Sequence, residues 1–540
     1  MILLLHSMHA SCTNLSYNST KFFNKIVNDY TQNNQQLIPF ITDFPSKEAF
    51  AKKIKERKNI VCNRNILVEV LTHQYQNISL NTLQNNNLNL LLQENCFTVT
   101  TAHQPNIFTG PLYFIYKIVH SIKLARELKD SFPEHNFVPI YYMGSEDADL
   151  DELGSFTIDG YKRTWQTKQT GAVGRMLVDD NFIKLINEVA HQINVLPFGK
   201  DLSQLFETCY AKGTTIQDAT LKLVNHLFAD VGLLIVVPDN ALLKSTFNTV
   251  VAKEIIEQFS HKEVEITNVE LAKHYNIQAA GREINLFYLI DDKRERIEKT
   301  EELFVIKSLE KTFTKKEILQ ELDTHPERFS ANVILRPVFQ ETILPNIAFI
   351  GGGGELAYWM QLKKVFEATN TSYPILVLRN SFLLINNKQI SKINKLGFTD
   401  VELFEQDEVL IKKIVAKQSQ NNWYIEEEVE KLKLIFNSLN NKANVIDTTL
   451  NDHVQSVLVN TQKKLKGIEA KMYRAEKRKF ATQQEQVNSI KSSLFPNNNL
   501  QERVENFSSY YATYGKEFII TILNNSAGFE QNFGILKLED

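Results

Sequence analysis

Short, almost continuously apolar runs alternate with helical patterns from residue 97 to about residue 397. Residues 97–101 (FTVTT), 137–143 (FVPIYYM), 233–237 (LLIVV), 284–290 (INLFYLI), 333–335, 347–350 and 375–378 read as strands. Runs apolar at nearly every position suit strands covered on both faces of a parallel sheet. Amphipathic stretches at 114–128 and 219–228 read as helices between them, and the alternation predicts a doubly wound α/β core. The asparagine-rich, leucine-interleaved stretch 84–92 (QNNNLNLLL) also predicts a helix.

The pattern changes after Gly397. Between 400 and 493 there is no proline, a single glycine (Gly467), and a high density of Lys, Glu, Gln and Asn. Val454, Leu458, Thr461, Leu465, Ile468, Met472 and Ala475 recur in alternating steps of four and three, which is heptad spacing. The register falters near Lys479 and resumes at Val487, Ile490 and Leu494, with an upstream partner in 402–439. An antiparallel helical coiled-coil arm follows; a wholly helical 451–494 would be about 65 Å long. The expected division is a core with connecting insertions over 1–397, the arm over 398–495, and a segment over 496–540 that returns to the core, with 517–523 (EFIITIL) as a last strand or packed terminal segment.

Composition narrows the class. At 540 residues the chain exceeds one ordinary hydrophobic core. Its 43% hydrophobic and 23% charged residues are those of a globular protein, and a net charge of −3 argues against a nucleic-acid partner. Four scattered cysteines without a CxxC pair fit a reducing cytoplasm. The N-terminus carries only a four-residue apolar run, too short for a signal peptide, and no run is long enough to span a membrane. No metal site is expected.

Candidate chemistry gathers where strands end. After 347–350 come Gly351, Gly352, Gly353 and Gly354, then Glu355 and a helix carrying Tyr358. Glycines at a helix N-terminus let backbone N–H groups meet an anion. The run lacks the dinucleotide fingerprint, because Leu356 stands where its third glycine belongs. A tight turn with nothing bound is the plain alternative, and Glu355 reads equally well as a first-turn acid or a catalytic one. Arg336, with Gln340 and Glu341, suits a carboxylate or phosphate. After 97–101 come His103, Gln104 and Thr109, with Lys117 on the next helix; His103 is the natural proton carrier, Gln104 and Thr109 polar substrate contacts. After 137–143 lie five acids within seven residues, of which Asp147 and Asp149 are expected to face the crevice. After 375–378 come Arg379, Asn380 and Ser381. Ligands of open α/β sheets bind where strands end, so convergence of these clusters predicts one crevice. The arm's basic stretch, Lys463 to Lys479, reads as a solvated face or as a cover for a phosphate.

TAHQPNIFTGPLYFIYK, VPIYYMGSEDADLDEL, ILRPVFQETILPNIAFIGGGGELAYWMQLK, PILVLRNSF and LFPNNNLQERVENF, in this order over nearly the whole chain, resemble the BshC family, cysteine ligases of bacillithiol biosynthesis. The resemblance implies a Rossmann-like core with a coiled-coil domain, homodimerisation through that coiled coil, and attachment of L-cysteine to the amino group of glucosaminyl-malate. It implies a sheet-end active site, with His103, Arg336 and Glu355 as catalytic residues. Gln104, Thr109, Asp147, Asp149, Gly351 to Gly354, Tyr358, Asn380 and Ser381 are the substrate contacts. It also implies a second nucleotide site between core and arm, for which Arg379, Arg503, Tyr511 and Tyr514 are the candidates, with ATP or ADP as the nucleotide. A carboxylate must be activated before it joins an amine, yet no Walker loop or adenylation signature is present. The chain has Ala102 where the family usually has glycine and Ala148 where many members have histidine. If such a histidine is the acid–base group, its role here passes to His103 or is unnecessary, and Asp147 and Asp149 are kept as binding residues. The family-like pattern begins near Met8, so translation starts at Met1 or Met8. A nucleotidyltransferase on the same fold, or a nucleotide-binding assembly subunit, are the alternatives.

Overall fold

Five strands pair in parallel at the centre of the computed structural model, which describes residues 9–539; the choice between Met1 and Met8 as the start lies outside these. They are β1 (Cys96–His103), β2 (Asn136–Met143), β3 (Leu234–Val236), β4 (Asn346–Gly351) and β5 (Ile375–Leu378). Their order across the sheet is 3-2-1-4-5, all parallel. That is the Rossmann order, in which the chain reverses its direction of winding between β1 and β4. All eight residues of β1 are buried, as a central strand requires. Its threonines are tolerated there because each hydroxyl finds an acceptor: Thr98 and Thr100 donate to Asn346 Oδ1 (3.1 and 2.9 Å), and Thr101 to the Ile350 carbonyl (2.9 Å). Helix α1 (Tyr113–Ser131) packs Leu124 and Leu128 with Phe97, Val99, Ile347, Ile350 and Val377.

Three expected elements differ in kind or in place. Residues 333–335 form no strand; Ile334 and Leu335 are buried in a turn, because Pro337 in the first turn fixes the start of helix α2 (Arg336–Ile343). The β-branched run 517–523 is the packed terminal segment and not the strand of its two readings, as part of a helix, Lys516–Asn525. Its buried apolar residues Phe518, Ile519, Ile522 and Leu523 share one helical face while Ile520 is 44% exposed, so helical spacing prevails over β propensity. The strand expected at 284–290 lies outside the parallel sheet, as Leu286–Ile290 of an antiparallel sheet with Lys293–Arg296 and Phe329–Ala331.

The chain divides into two compact units, one of residues 1–385 with 499–540 and one of residues 386–498. In the first, the C-terminal strand Phe533–Glu539 pairs antiparallel with His9–Leu15. Asn506 donates to the carbonyls of Phe108 (2.8 Å) and Gly110 (2.5 Å). Next to it the buried Glu505 accepts the Gly160 N–H at 2.9 Å. Burial pushes the Glu505 carboxyl up to about 7, against the Gly160 hydrogen bond. The folded state therefore holds this proton more tightly than the unfolded chain, so stability falls as pH rises from about 4.5 through 7. Glu505→Gln should be more stable than wild type at pH 8, by on the order of 1–3 kcal/mol in urea titrations, with the advantage vanishing at pH 4.5.

In the second unit, Glu426–Ile446 and Leu450–Lys477 form a helical hairpin. The rod expected over 451–494 is broken by the 3-10 turn Arg478–Phe480, at the place where the heptad falters. Beyond it, Ala481–Leu494 packs its buried Val487, Ile490 and Leu494 along Asp407–Gln418, which buries Leu410, Ile411, Ile414 and Val415. The long hairpin buries little: Leu458 is the one apolar side chain buried among the described residues of its two helices.

Candidate active site

A cavity of about 650 Å³ opens where β1 and β4 end, at the reversal point of the sheet. Among its lining residues are His103 at the end of β1 with Gln104 after it, Glu146 and Asp147 after β2, and Gly352, Gly353, Gly354 and Glu355 after β4. Arg336 and Tyr358 come from the helices flanking β4, and Lys117, Glu152, Arg294, Arg379 and Arg503 complete its charged surface.

The glycine run is built differently from a plain anion loop. Gly352 is the N-cap of helix α3 (Gly353–Met360), and Glu355 turns back so that its carboxylate accepts the Gly352 N–H at 2.8 Å. The same carboxylate pairs with the Lys117 ammonium at 2.5 Å. One donor of the expected anion site is thus held by the chain's own acid. None of the four glycines has a positive φ. Space explains two of them: a Cβ on Gly351 would meet the Phe349 ring at 2.8 Å, and one on Gly353 would meet Val27 Cγ2 at 2.6 Å. At Gly354 a Cβ would meet nothing within 4 Å, and this glycine faces the cavity.

Arg336 donates to the Tyr358 hydroxyl (2.8 Å) and to Gln340 Oε1 (3.2 Å), over the face of Tyr142. Arg294 reaches in from the antiparallel sheet, stacked 3.9 Å from the Phe287 ring centre and donating to Ser330 Oγ at 3.1 Å. Neither makes an ion pair with a carboxylate among the described residues. Burial pulls the Arg294 pKa down. Two half-buried guanidinium groups without an acid partner leave unused donors facing a ligand. Arg379 is different: its buried guanidinium pairs with the fully buried Glu502 at 2.7 Å.

His103 is 8% exposed, and its Nε2 has no hydrogen-bond partner. Burial first, then the charges of Lys117 and Arg379, hold its pKa well below the usual histidine range. The imidazole is therefore neutral near pH 7 and a weaker base than the sequence suggests. Burial, with Asp149 and Asp147 nearby, raises the Glu152 carboxyl instead. Asp147 accepts from Gln104 Nε2 at 3.1 Å. Asp149 is no part of the lining; it caps the short helix Leu150–Leu153, accepting the Glu152 N–H at 3.1 Å. Glu146 is anchored by the buried Lys244, which also bonds Asp239 (3.3 Å) and the Glu327 carbonyl (2.8 Å).

A family model described as the bacillithiol biosynthesis BshC N-terminal Rossmann-like domain matches residues 8–380, and the BshC C-terminal coiled-coil domain matches 382–538. The chain belongs to the BshC family. A BshC protein of Flavobacterium johnsoniae, named "Putative cysteine ligase BshC", is 39% identical over 526 residues, covering 97% of this chain and 99% of the relative. Relatives of the same name from Christiangramia forsetii (39% over 529 residues; 97% and 98% covered) and Flavobacterium psychrophilum (38% over 528 residues; 97% and 99%) match alike.

Within this BshC chain several expected contacts lie off the cavity. Thr109 is fully buried at φ 69°, in the turn where Phe108 enters a cluster with Phe156, Phe182, Phe206 and Tyr210. Gly351 ends β4 beneath the lining. Asn380 donates its N–H to His120 Nδ1 (3.0 Å), and Ser381 donates to Glu502 (3.2 Å). Arg503 lines the cavity with its guanidinium 5.4 Å over the Phe23 ring, whereas Tyr511 and Tyr514 sit on the helix Ser508–Tyr514 outside the lining. Arg294 and the N-terminal Phe22, Phe23 and Val27 were not singled out from the sequence, and Glu146 stood in the acid cluster without being chosen; Arg294 lies in the charged run KRER, and only the tertiary fold brings it to the cavity.

Proposed function

We propose that this chain is a ligase that joins L-cysteine to the amino group of glucosaminyl-malate, forming an amide. The observation that carries the reading is the cavity's mixed charge: Glu146, Asp147, Glu152 and Glu355 line it together with Lys117, Arg294, Arg336, Arg379 and Arg503. Acids suit the ammonium groups of cysteine and glucosamine, and unpaired guanidinium groups suit the malate carboxylates. The names borne by full-length relatives support the same reading.

Activation of the cysteine carboxyl requires a nucleoside triphosphate, and we assign ATP to this role. The open space at Gly354 and the cation Arg503 fit its phosphates. We assign the exposed apolar side chains of the helical hairpin, including Leu434 (69%) and Ile468 (51%), to a homodimer contact through the coiled coil. A cytoplasmic location accords with four unpaired cysteines, and no helix among the described residues is long and apolar enough to cross a membrane.

Thermal denaturation with candidate ligands tests the reading. Glucosaminyl-malate at a hundredfold excess over its Kd should stabilise the fold by about 2.7 kcal/mol, and glucosamine lacking malate should stabilise it far less. Equal stabilisation by both would contradict the assignment of the arginines. Pyrophosphate release without amide product would favour a nucleotidyltransferase. Gly354→Val should melt like wild type yet weaken ATP binding at least tenfold, whereas Gly353→Val should melt lower, because its side chain collides with Val27.

A further inference from the structure

Resting on the ligase reading, we propose that Lys117 is the group that holds the negative oxygen formed as the amide bond is made. Lys117 lies one turn into α1 and is only 2% exposed. Burying an ammonium is costly unless its donors are met. Two are: Nζ donates to the Ala102 carbonyl at 2.8 Å and pairs with Glu355 at 2.5 Å. An ammonium has three N–H donors. Lys117 lines the cavity, and among the described residues no third partner is found for it. The two anchors fix Nζ between the ends of β1 and β4, where a reacting carbonyl would sit.

The chemistry needs such a donor. The cysteine carboxyl, activated by a nucleoside triphosphate as an acyl-phosphate or acyl-adenylate, is attacked by the sugar amine after one proton has left its ammonium to water. The new N–C bond drives the carbonyl π pair onto oxygen. Return of that pair breaks the C–O bond and expels phosphate or the nucleotide, and a second proton leaves the nitrogen. Charge on the carbonyl oxygen exists only between attack and collapse, so a fixed cation beside it lowers the barrier without tightening substrate binding. Arg336, held by Gln340 and Tyr358, remains for the ground-state carboxylates. Glu355 acts through Lys117 and is a positioning residue.

A purely structural Lys117 would be a strut tying α1 to β1 and α3. The test compares full-length wild type, Lys117→Met and Lys117→Gln, each checked by near-UV circular dichroism. Kinetics with cysteine, glucosaminyl-malate and ATP should show kcat reduced about 100-fold or more, with both amino-acid and amino-sugar KM values within about threefold. Inorganic phosphate, a tetrahedral oxyanion, should bind the variants at least tenfold more weakly in calorimetry. A kcat within threefold of wild type, or unchanged phosphate affinity, overturns the proposal while leaving the ligase reading standing. If wild type makes no amide, the ligase reading fails and the phosphate titration alone judges Lys117. Loss of the near-UV signal in both variants would make Lys117 a strut and overturn the proposal.

Discussion

Arg336→Ala is expected to lower kcat/KM for glucosaminyl-malate by about 100-fold or more while leaving the melting temperature at or above that of wild type. The two halves of this result have separate causes. Arg336 lines the cavity and meets only neutral partners, Tyr358 and Gln340. Deleting it therefore strands no buried acid, and relieves the fold of a desolvated cation. A ligand carboxylate that relied on it, however, would enter the cavity unpaired, at a cost of about 2–5 kcal/mol. Steady-state kinetics with scanning calorimetry on the same preparation separates the effects. A variant that melts much lower would make Arg336 part of the scaffold.

Arg379→Ala should behave in the opposite way, destabilising the fold by about 3–5 kcal/mol, because it leaves Glu502 charged and uncompensated inside the protein. Both side chains are nearly inaccessible, at 6% and 0% exposure, and they meet at 2.7 Å. Glu502 keeps bonds from Ser381 Oγ (3.2 Å) and the Phe382 N–H (3.3 Å), which soften the loss without neutralising the charge. The double variant Arg379→Met with Glu502→Leu should recover most of the stability, since removing both charges removes the desolvation cost. Equal loss in the single and double variants would show that packing around Tyr17 and Tyr113 dominates, instead of the ion pair.

The contrast between these arginines marks where sequence reasoning stops. Both follow or precede apolar strands in polar clusters, and both read as ligand-facing. What separates them is Glu502, which stands 123 positions from Arg379 and meets it only after the C-terminal segment folds back. The parallel strands were readable because a doubly covered strand must be apolar throughout. Of the antiparallel insertion only the apolar strand within 284–290 was readable, since Lys293–Arg296 carries only charged residues and its Arg294 is half-buried by the fold around it. Thr109 misled because polarity just after a strand resembles a crevice, while Phe108 drags this turn into an aromatic core. Of the two readings of Glu355, the structure shows the first-turn acid, on the Gly352 N–H, and its carboxylate also pairs with Lys117 at the cavity.

The most direct test of the central claim is thiol and precursor mass spectrometry on cells lacking this gene. Loss of bacillithiol with accumulation of glucosaminyl-malate, reversed by wild type but not by a stably folded Arg336→Ala, is the expected result. Unchanged bacillithiol, or full restoration by Arg336→Ala, would contradict the assignment of cysteine addition to this cavity.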